Sequence, residues 1–162
     1  VQRAFAVELL KEFAKRYLHA AIETSGFAPW RHVKEVVDEC DLVLYDLKIM
    51  DSALHKRHTG VPNERILENA LKIARKGKTM IFRVPLIGGI NTDHENIDAV
   101  ARFSRKAGVK EVHLLPYHRL GESKYIKLGK EFSCKAFVPD EETVSVIRKK
   151  LESYGLNVKI GG

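Results

Sequence analysis

The chain has 162 residues, a formal net charge of +7, 44% hydrophobic residues and 30% charged residues. These values suit one globular domain with a sizeable core and exclude a disordered chain. No apolar run approaches the roughly 20 residues that span a bilayer, and neither an arginine-rich tail nor an interleaved aromatic platform speaks for nucleic acid.

The opening VQRAFAVELLKEF carries helical charge spacing rather than a leader and cleavage site. Phe5, Leu9, Phe13 and Tyr17 recur at spacing four in a helix without a visible cap. A strand-like HAAIET (His19 to Thr24) follows, then a helix around Trp30 to Asp38, then the strand DLVLYDLK. The next helix starts at Asn63-Glu64, runs inward through Ile66, Leu67, Ala70, Ile73 and Ala74, and meets Gly77 where a C-cap belongs. The strand TMIFRVPLI comes next. Thr92-Asp93-His94-Glu95 has the capping-box form, with Thr at the cap and Glu three later, and opens a helix that ends near Gly108. VKEVHLLPY reads as a strand. A last helix starts near Asp140, turns Val144, Ile147 and Leu151 inward and stops at Gly155, before a short LNVKI.

Near-continuously apolar strands alternating with helices predict a parallel α/β sheet with right-handed crossovers. About four principal strands are too few to close a barrel. A helix in such a fold usually returns from a preceding strand, and the opening helix has none. Residues 1–162 therefore read as a single domain that is the later part of a larger one; a trim of a few disordered residues is the alternative. An incomplete barrel leaves its first strand as an unpaired edge, which predicts pairing or dimerisation there. Much of the positive charge lies near helix C-termini, as in Arg75-Lys76 and Arg148-Lys149-Lys150, where it complements the macrodipole. A basic patch for an anionic ligand or acidic partner is the other reading. Cys40 and Cys134 form neither a disulfide framework nor a metal knuckle; they read as buried thiols of a reducing cytoplasm.

In parallel α/β folds ligands bind at the carboxyl ends of the strands. Those ends here carry Glu23-Thr24-Ser25-Gly26, then Asp46-Leu47-Lys48, then Arg83 with Pro85 and Gly88-Gly89, then Pro116-Tyr117-His118. Each alone fits a cap or a loop residue; their coincidence on one edge points to a site. Lys48, Arg83 and His118 with Glu23 and Asp46 suit a zwitterionic or sugar-bearing ligand. Nucleophilic acyl transfer, paired-carboxylate chemistry and metal-ligand spacing have no support. The turns Ser25-Gly26 and Gly88-Gly89 either let a ligand approach the backbone or are simple turns.

In series, ETSG, DLVLYDLKxMD, HxxxTGxxNxxIxxN, IFRVPLIxGxN and LLPYHxLGxxKYxxLG resemble the glycyl-radical enzyme activating enzymes. These are radical S-adenosylmethionine (SAM) proteins, with pyruvate formate-lyase activating enzyme as the best-known type. The resemblance covers essentially the whole chain. It implies a partial (β/α)6 TIM-like barrel, here cut to about four parallel strands plus helices. It implies a [4Fe-4S] cluster that binds SAM through its amine and carboxylate, and a 5′-deoxyadenosyl radical that takes hydrogen from a glycine of the partner enzyme. Flavodoxin or ferredoxin would donate the electron. Carried over, Asp46, Leu47 and Lys48 match the family's DLK triplet and His118 another SAM contact. Arg83 matches an arginine near the SAM methionyl end. Glu23 and Thr24 match an Asp-Thr that, with the DLK aspartate, helps bind a cation beside SAM; Glu23 is one methylene longer.

The family's CxxxCxxC cluster motif and its GGE motif are absent from this sequence. The expectation is therefore the C-terminal two-thirds of an activase, cytoplasmic and inactive alone, with half a SAM site. Two other readings compete. One is a non-catalytic module that docks on a glycyl-radical enzyme through the HKRHTG loop, His55 to Gly60. The other is a (β/α) enzyme with a phosphate ligand, although no glycine-rich loop opens a helix as P-loops do.

Overall fold

The computed structural model describes residues 2–118, 127–129 and 136–161. In chain order the elements are α1 (Arg3–Lys15), β1 (Ala21–Thr24), α2 (Trp30–Asp38), β2 (Leu42–Asp46), α3 (Ser52–Thr59), α4 (Glu64–Arg75), β3 (Thr79–Leu86), α5 (His94–Ala107), β4 (Glu111–Pro116), α6 (Glu141–Glu152) and β5 (Asn157–Ile160). The strands form one parallel sheet in the order β1-β2-β3-β4-β5. Helices α1, α2, α4, α5 and α6 pack each against the next, so they make a single layer on one side. Val43, Tyr45 and Leu47, then Met80, Phe82, Val84 and Leu86, then Val112 and Leu114 are buried beneath that layer. Phe82 stacks on Phe103 of α5 with ring centroids 5.7 Å apart. Successive strand residues point to opposite faces, so Leu44, Asp46, Ile81, Arg83 and His113 stand on the face that carries no helices.

The structure corrects several expectations. The sheet has five strands rather than about four, because LNVKI is a full partner of β4, with Val112 opposite Val158 and Leu114 opposite Ile160. Four residues with one buried apolar side chain, Val158, are too short for a period-two signal. HKRHTG is not a loop but the end of α3. Asp51 caps that helix by accepting from Leu54 N at 2.7 Å, and Gly60 closes it at φ 84°. His55 of that stretch is buried, and its Nδ1 donates to Val61 O at 2.7 Å. The cap of α5 is Asp93, which accepts from Asn96 N at 2.8 Å; Thr92 lies one residue outside. Cys40 is buried, as expected, while Cys134 lies outside the described residues.

Helix α1 packs on α2 and buries only Leu10 fully, with Phe5 64% and Leu9 39% exposed. It ends in a Schellman closure, Leu18 N to Phe13 O at 3.0 Å and Tyr17 N to Ala14 O at 3.1 Å. The left-handed residue there is Tyr17, at φ 56°, not a glycine. Its side chain is 97% exposed and contributes no packing. Tyr17→Gly is therefore expected to raise stability by about 1 kcal/mol, measured as a higher urea midpoint; a lower midpoint would contradict this. Among the described residues no helix is long and apolar enough to cross a membrane.

Candidate functional site

The helix-free face changes chemistry at the carboxyl end of the sheet. Leu42, Leu44 and Ile81 are apolar, but Asp46 and Lys48 on β2 and its extension, and Arg83 on β3, are charged. Asp46 and Arg83 are Cα partners across β2 and β3. Lys48 Nζ meets Asp46 Oδ2 at 3.0 Å, as two residues on the same side of an extended segment can. Arg83 Nη1 reaches over β2 to pair with Glu23 Oε2. Arg83 and Asp46 keep only 18% and 19% of their side-chain surface exposed. Among the described residues Asp46 Oδ1 and Arg83 Nε are buried without a hydrogen-bond partner. A buried unmet acceptor beside a buried unmet donor is costly for a finished protein surface. It suits a ligand that carries both a positive and a negative group.

Three buried asparagines shape the segment that follows β2. Asn91 Nδ2 donates to Lys48 O at 2.7 Å and to Pro85 O at 2.6 Å, while its Oδ1 accepts from Ile87 N at 2.7 Å. Asn96 Oδ1 accepts from Met50 N at 2.8 Å, and its Nδ2 donates to Asn91 O at 2.9 Å. Asn63 occupies the N-cap position of α4 but its side chain does not cap the helix. Instead its amide donates to Ile49 O at 2.9 Å and Met50 O at 2.8 Å. Extended backbone beyond a strand has polar groups that the sheet no longer satisfies, and here side-chain amides from the start of α4, the β3–α5 connection and α5 satisfy them. Sequence reading missed this function and took Asn63 only as the start of the helix. Asparagine is both a cap residue and a buried bracket, and the sequence pattern does not separate the two.

The sequence-derived residues therefore divide. Glu23, Asp46, Lys48 and Arg83 come together on one edge. Leu47 points the other way and is 2% exposed in the core. Thr24 Oγ1 accepts from Gly26 N at 2.9 Å and closes the turn after β1. His118 is exposed, two residues beyond β4. Gly88 is approached by the chain itself: it pairs in an isolated antiparallel bridge with Phe137, whose ring would lie 2.4 Å from an added Cβ. Cys40 lies before the opposite, amino end of β2. Its thiol donates to Val37 O at 3.4 Å and burial pushes its pKa up, so it is an inert core thiol. Among the described residues no three His, Cys, Asp or Glu side chains cluster as a metal site.

No family model matches the chain. It is 41% identical over 145 residues to the isethionate sulfite-lyase activating enzyme of Nitratidesulfovibrio vulgaris, a match that covers 88% of this chain and 47% of that protein. It is 36% identical over 148 residues to the trans-4-hydroxy-L-proline dehydratase activating enzyme of Clostridioides difficile, covering 90% of this chain and 49% of that protein. The chain thus spans about half the length of these curated relatives. The crystal structure of a domain of pyruvate-formate lyase-activating enzyme from Bacteroides vulgatus superposes with a TM-score of 0.83 at 34% identity, covering 99% of this chain and 92% of that one. With that sequence likeness over nearly the full length of a matching fold, the chain belongs to the glycyl-radical enzyme activating enzymes of the radical SAM superfamily.

Proposed function

We propose that this chain forms one wall of the SAM site of a radical SAM activase that acts on a glycyl-radical enzyme. The observation that carries this reading is the pair of buried unmet atoms, Asp46 Oδ1 and Arg83 Nε, on the strand-end edge. An acceptor next to a donor fits the amine and carboxylate of a methionyl group, so the residues present fit SAM. Lys48 and Arg83 would hold its carboxylate, Asp46 its amine, and the exposed His118 its nucleoside end. Thr24 and Leu47 would act by shaping the backbone at this edge, and Glu23 by fixing Arg83 or by joining Asp46 at a cation. When bound, SAM supplies the 5′-deoxyadenosyl group that takes hydrogen from the partner's glycine; the protein's share is to position it and exclude water.

A [4Fe-4S] cluster does not fit the described residues, since Cys40 is buried at the far end of the sheet. In this reading residues 1–162 are a single domain that supplies the later strands of a partial (β/α)6 barrel, and the cluster is held outside them. The isolated chain is then inactive, cytoplasmic, and able to pair with a second copy along the edge of β1. Flavodoxin or ferredoxin would be the electron donor of the whole enzyme.

Titration of the isotopically labelled chain with SAM is expected to move the backbone amide resonances of residues 46–48. Asp46→Asn and Lys48→Ala should each weaken the response by about tenfold, the equivalent of one charge-assisted hydrogen bond. Amides 46–48 that stay still at millimolar SAM would overturn the reading.

A further inference from the structure

Three more ionisable side chains stand on the helix-free face beyond Arg83. Glu111 and His113 are two residues apart on β4, and Lys159 is the Cα partner of His113 on β5. One oxygen, Glu111 Oε1, receives both Lys159 Nζ at 2.7 Å and His113 Nε2 at 2.8 Å. These two bonds, with Lys159 the larger influence, hold the Glu111 carboxyl below the usual carboxylate range. A carboxylate only accepts, so the proton on the imidazole belongs on Nε2; this tautomer follows from the partner. A neutral ring protonated there keeps a lone pair on Nδ1. The Glu111–Lys159 pair is complete without the imidazole, so a simple cross-strand ion pair does not account for His113, which is only 12% exposed.

His113 is the Cα partner of Arg83, and Arg83 is the Cα partner of Asp46. One row across three neighbouring strands therefore carries an unmet acceptor (Asp46 Oδ1), an unmet donor (Arg83 Nε) and an imidazole acceptor. Neighbouring strands lie about 4.8 Å apart. A partner's glycine has no side chain to be recognised by, so a site that reads it must read main-chain N–H and C=O groups. We propose that His113, fixed by Glu111 and Lys159, is a specificity-determining residue that accepts a main-chain N–H from the glycine-bearing segment of the partner. This rests on the activase reading above and adds to it the residue that registers the segment. Asp46 and Arg83 serve SAM on one side of the row, and His113 serves the polypeptide on the other.

The test uses the 162-residue chain, 15N-labelled at histidine, with N-acetyl-triglycine amide as a main-chain probe. The neutral ring of His113 should be the Nε2–H tautomer, and the probe should shift its Nδ1 resonance. His113→Phe should weaken the probe response by about tenfold. His113→Asn, whose amide oxygen also accepts, should retain most of it, and Glu111→Gln should fall between as the tautomer is released. Amide spectra that overlay outside β4 and β5 show that each variant is folded. An Nδ1–H tautomer, or a His113→Phe response within about twofold of the parent, overturns the proposal. The SAM titration at residues 46–48 separates the two claims. Loss of that response with the probe response intact sinks the activase reading and leaves His113 as a main-chain acceptor without that partner, and the reverse sinks the His113 assignment alone.

Discussion

Gly26→Ala is expected to lower the unfolding free energy by about 3–5 kcal/mol, at the severe end for single substitutions. Two causes add. Gly26 sits at φ +66°, where an L side chain costs about 1–2 kcal/mol. Its added Cβ would also lie 1.9 Å from the Tyr45 hydroxyl oxygen and 2.5 Å from the ring carbon that bears it. Tyr45 is fully buried, and burial pushes its pKa up, so it is a neutral donor. Its hydroxyl donates to Ile66 O at 2.6 Å and its ring packs edge-on against Phe82. Making room for a methyl group breaks the hydrogen bond and disturbs that packing. The turn cannot easily move instead, because Asn69 Nδ2 holds Gly26 O at 2.8 Å and Ala28 O at 2.9 Å. Urea unfolding measures the loss, and a thermal midpoint about 10 °C lower should accompany it. Tyr45→Phe in the same chain should restore only part of the stability, since the ring atoms remain within 3 Å of the new methyl. A Gly26→Ala chain within about 1 kcal/mol of the parent would refute the account.

Asn91→Ala is expected to cost about as much, about 3–5 kcal/mol, by a different route. Asn91 is 1% exposed, and truncation strips partners from Ile87 N, Lys48 O and Pro85 O together. Each buried group left unmet costs about 1–3 kcal/mol, less where water enters. Asn91→Asp should be worse than Ala, because a carboxylate would face two carbonyl oxygens with no donor between them. Urea unfolding gives the stability, and hydrogen exchange at the Ile87 amide reports the released bond. Stability of Asn91→Asp equal to the parent would contradict the bracket described here.

The legible parts of the fold are those with long periodic signals. Helix α4 places Ile66, Ala70 and Ile73 inward as their spacing predicts, with Gly77 at φ 72° after its end. Helix α6 does the same with Val144, Ile147 and Leu151. What escaped was short or doubly readable. Helix α3 has eight residues and only His55 buried, so no apolar stripe announces it, although Asp51 and Gly60 mark its ends. Strand β5 has four residues. The site was legible as position: Asp46, Lys48 and Arg83 were placed on one edge because strand ends converge. The asparagines that shape that edge were not, because a buried amide bridging distant backbone leaves no local pattern. Nor was the Glu111–His113–Lys159 group: polar residues alternating with Val112 and Leu114 look the same whether the outer face meets solvent or a ligand.

The bracket of asparagines also has a meaning in time. Met50 N finds its acceptor in Asn96, 46 residues later, and Lys48 O finds its donor in Asn91, 43 residues later. At about 5–20 residues per second of synthesis, those partners follow β2 out of the ribosome by about 2–9 s. Through that interval the nascent chain already contains Asp46 and Lys48 but not the side-chain amides that shape their edge. The shape of that edge is complete only once α5 has emerged, and a chain halted short of Asn91 carries Asp46, Lys48 and Arg83 without the Asn91 and Asn96 amides that hold the backbone after β2.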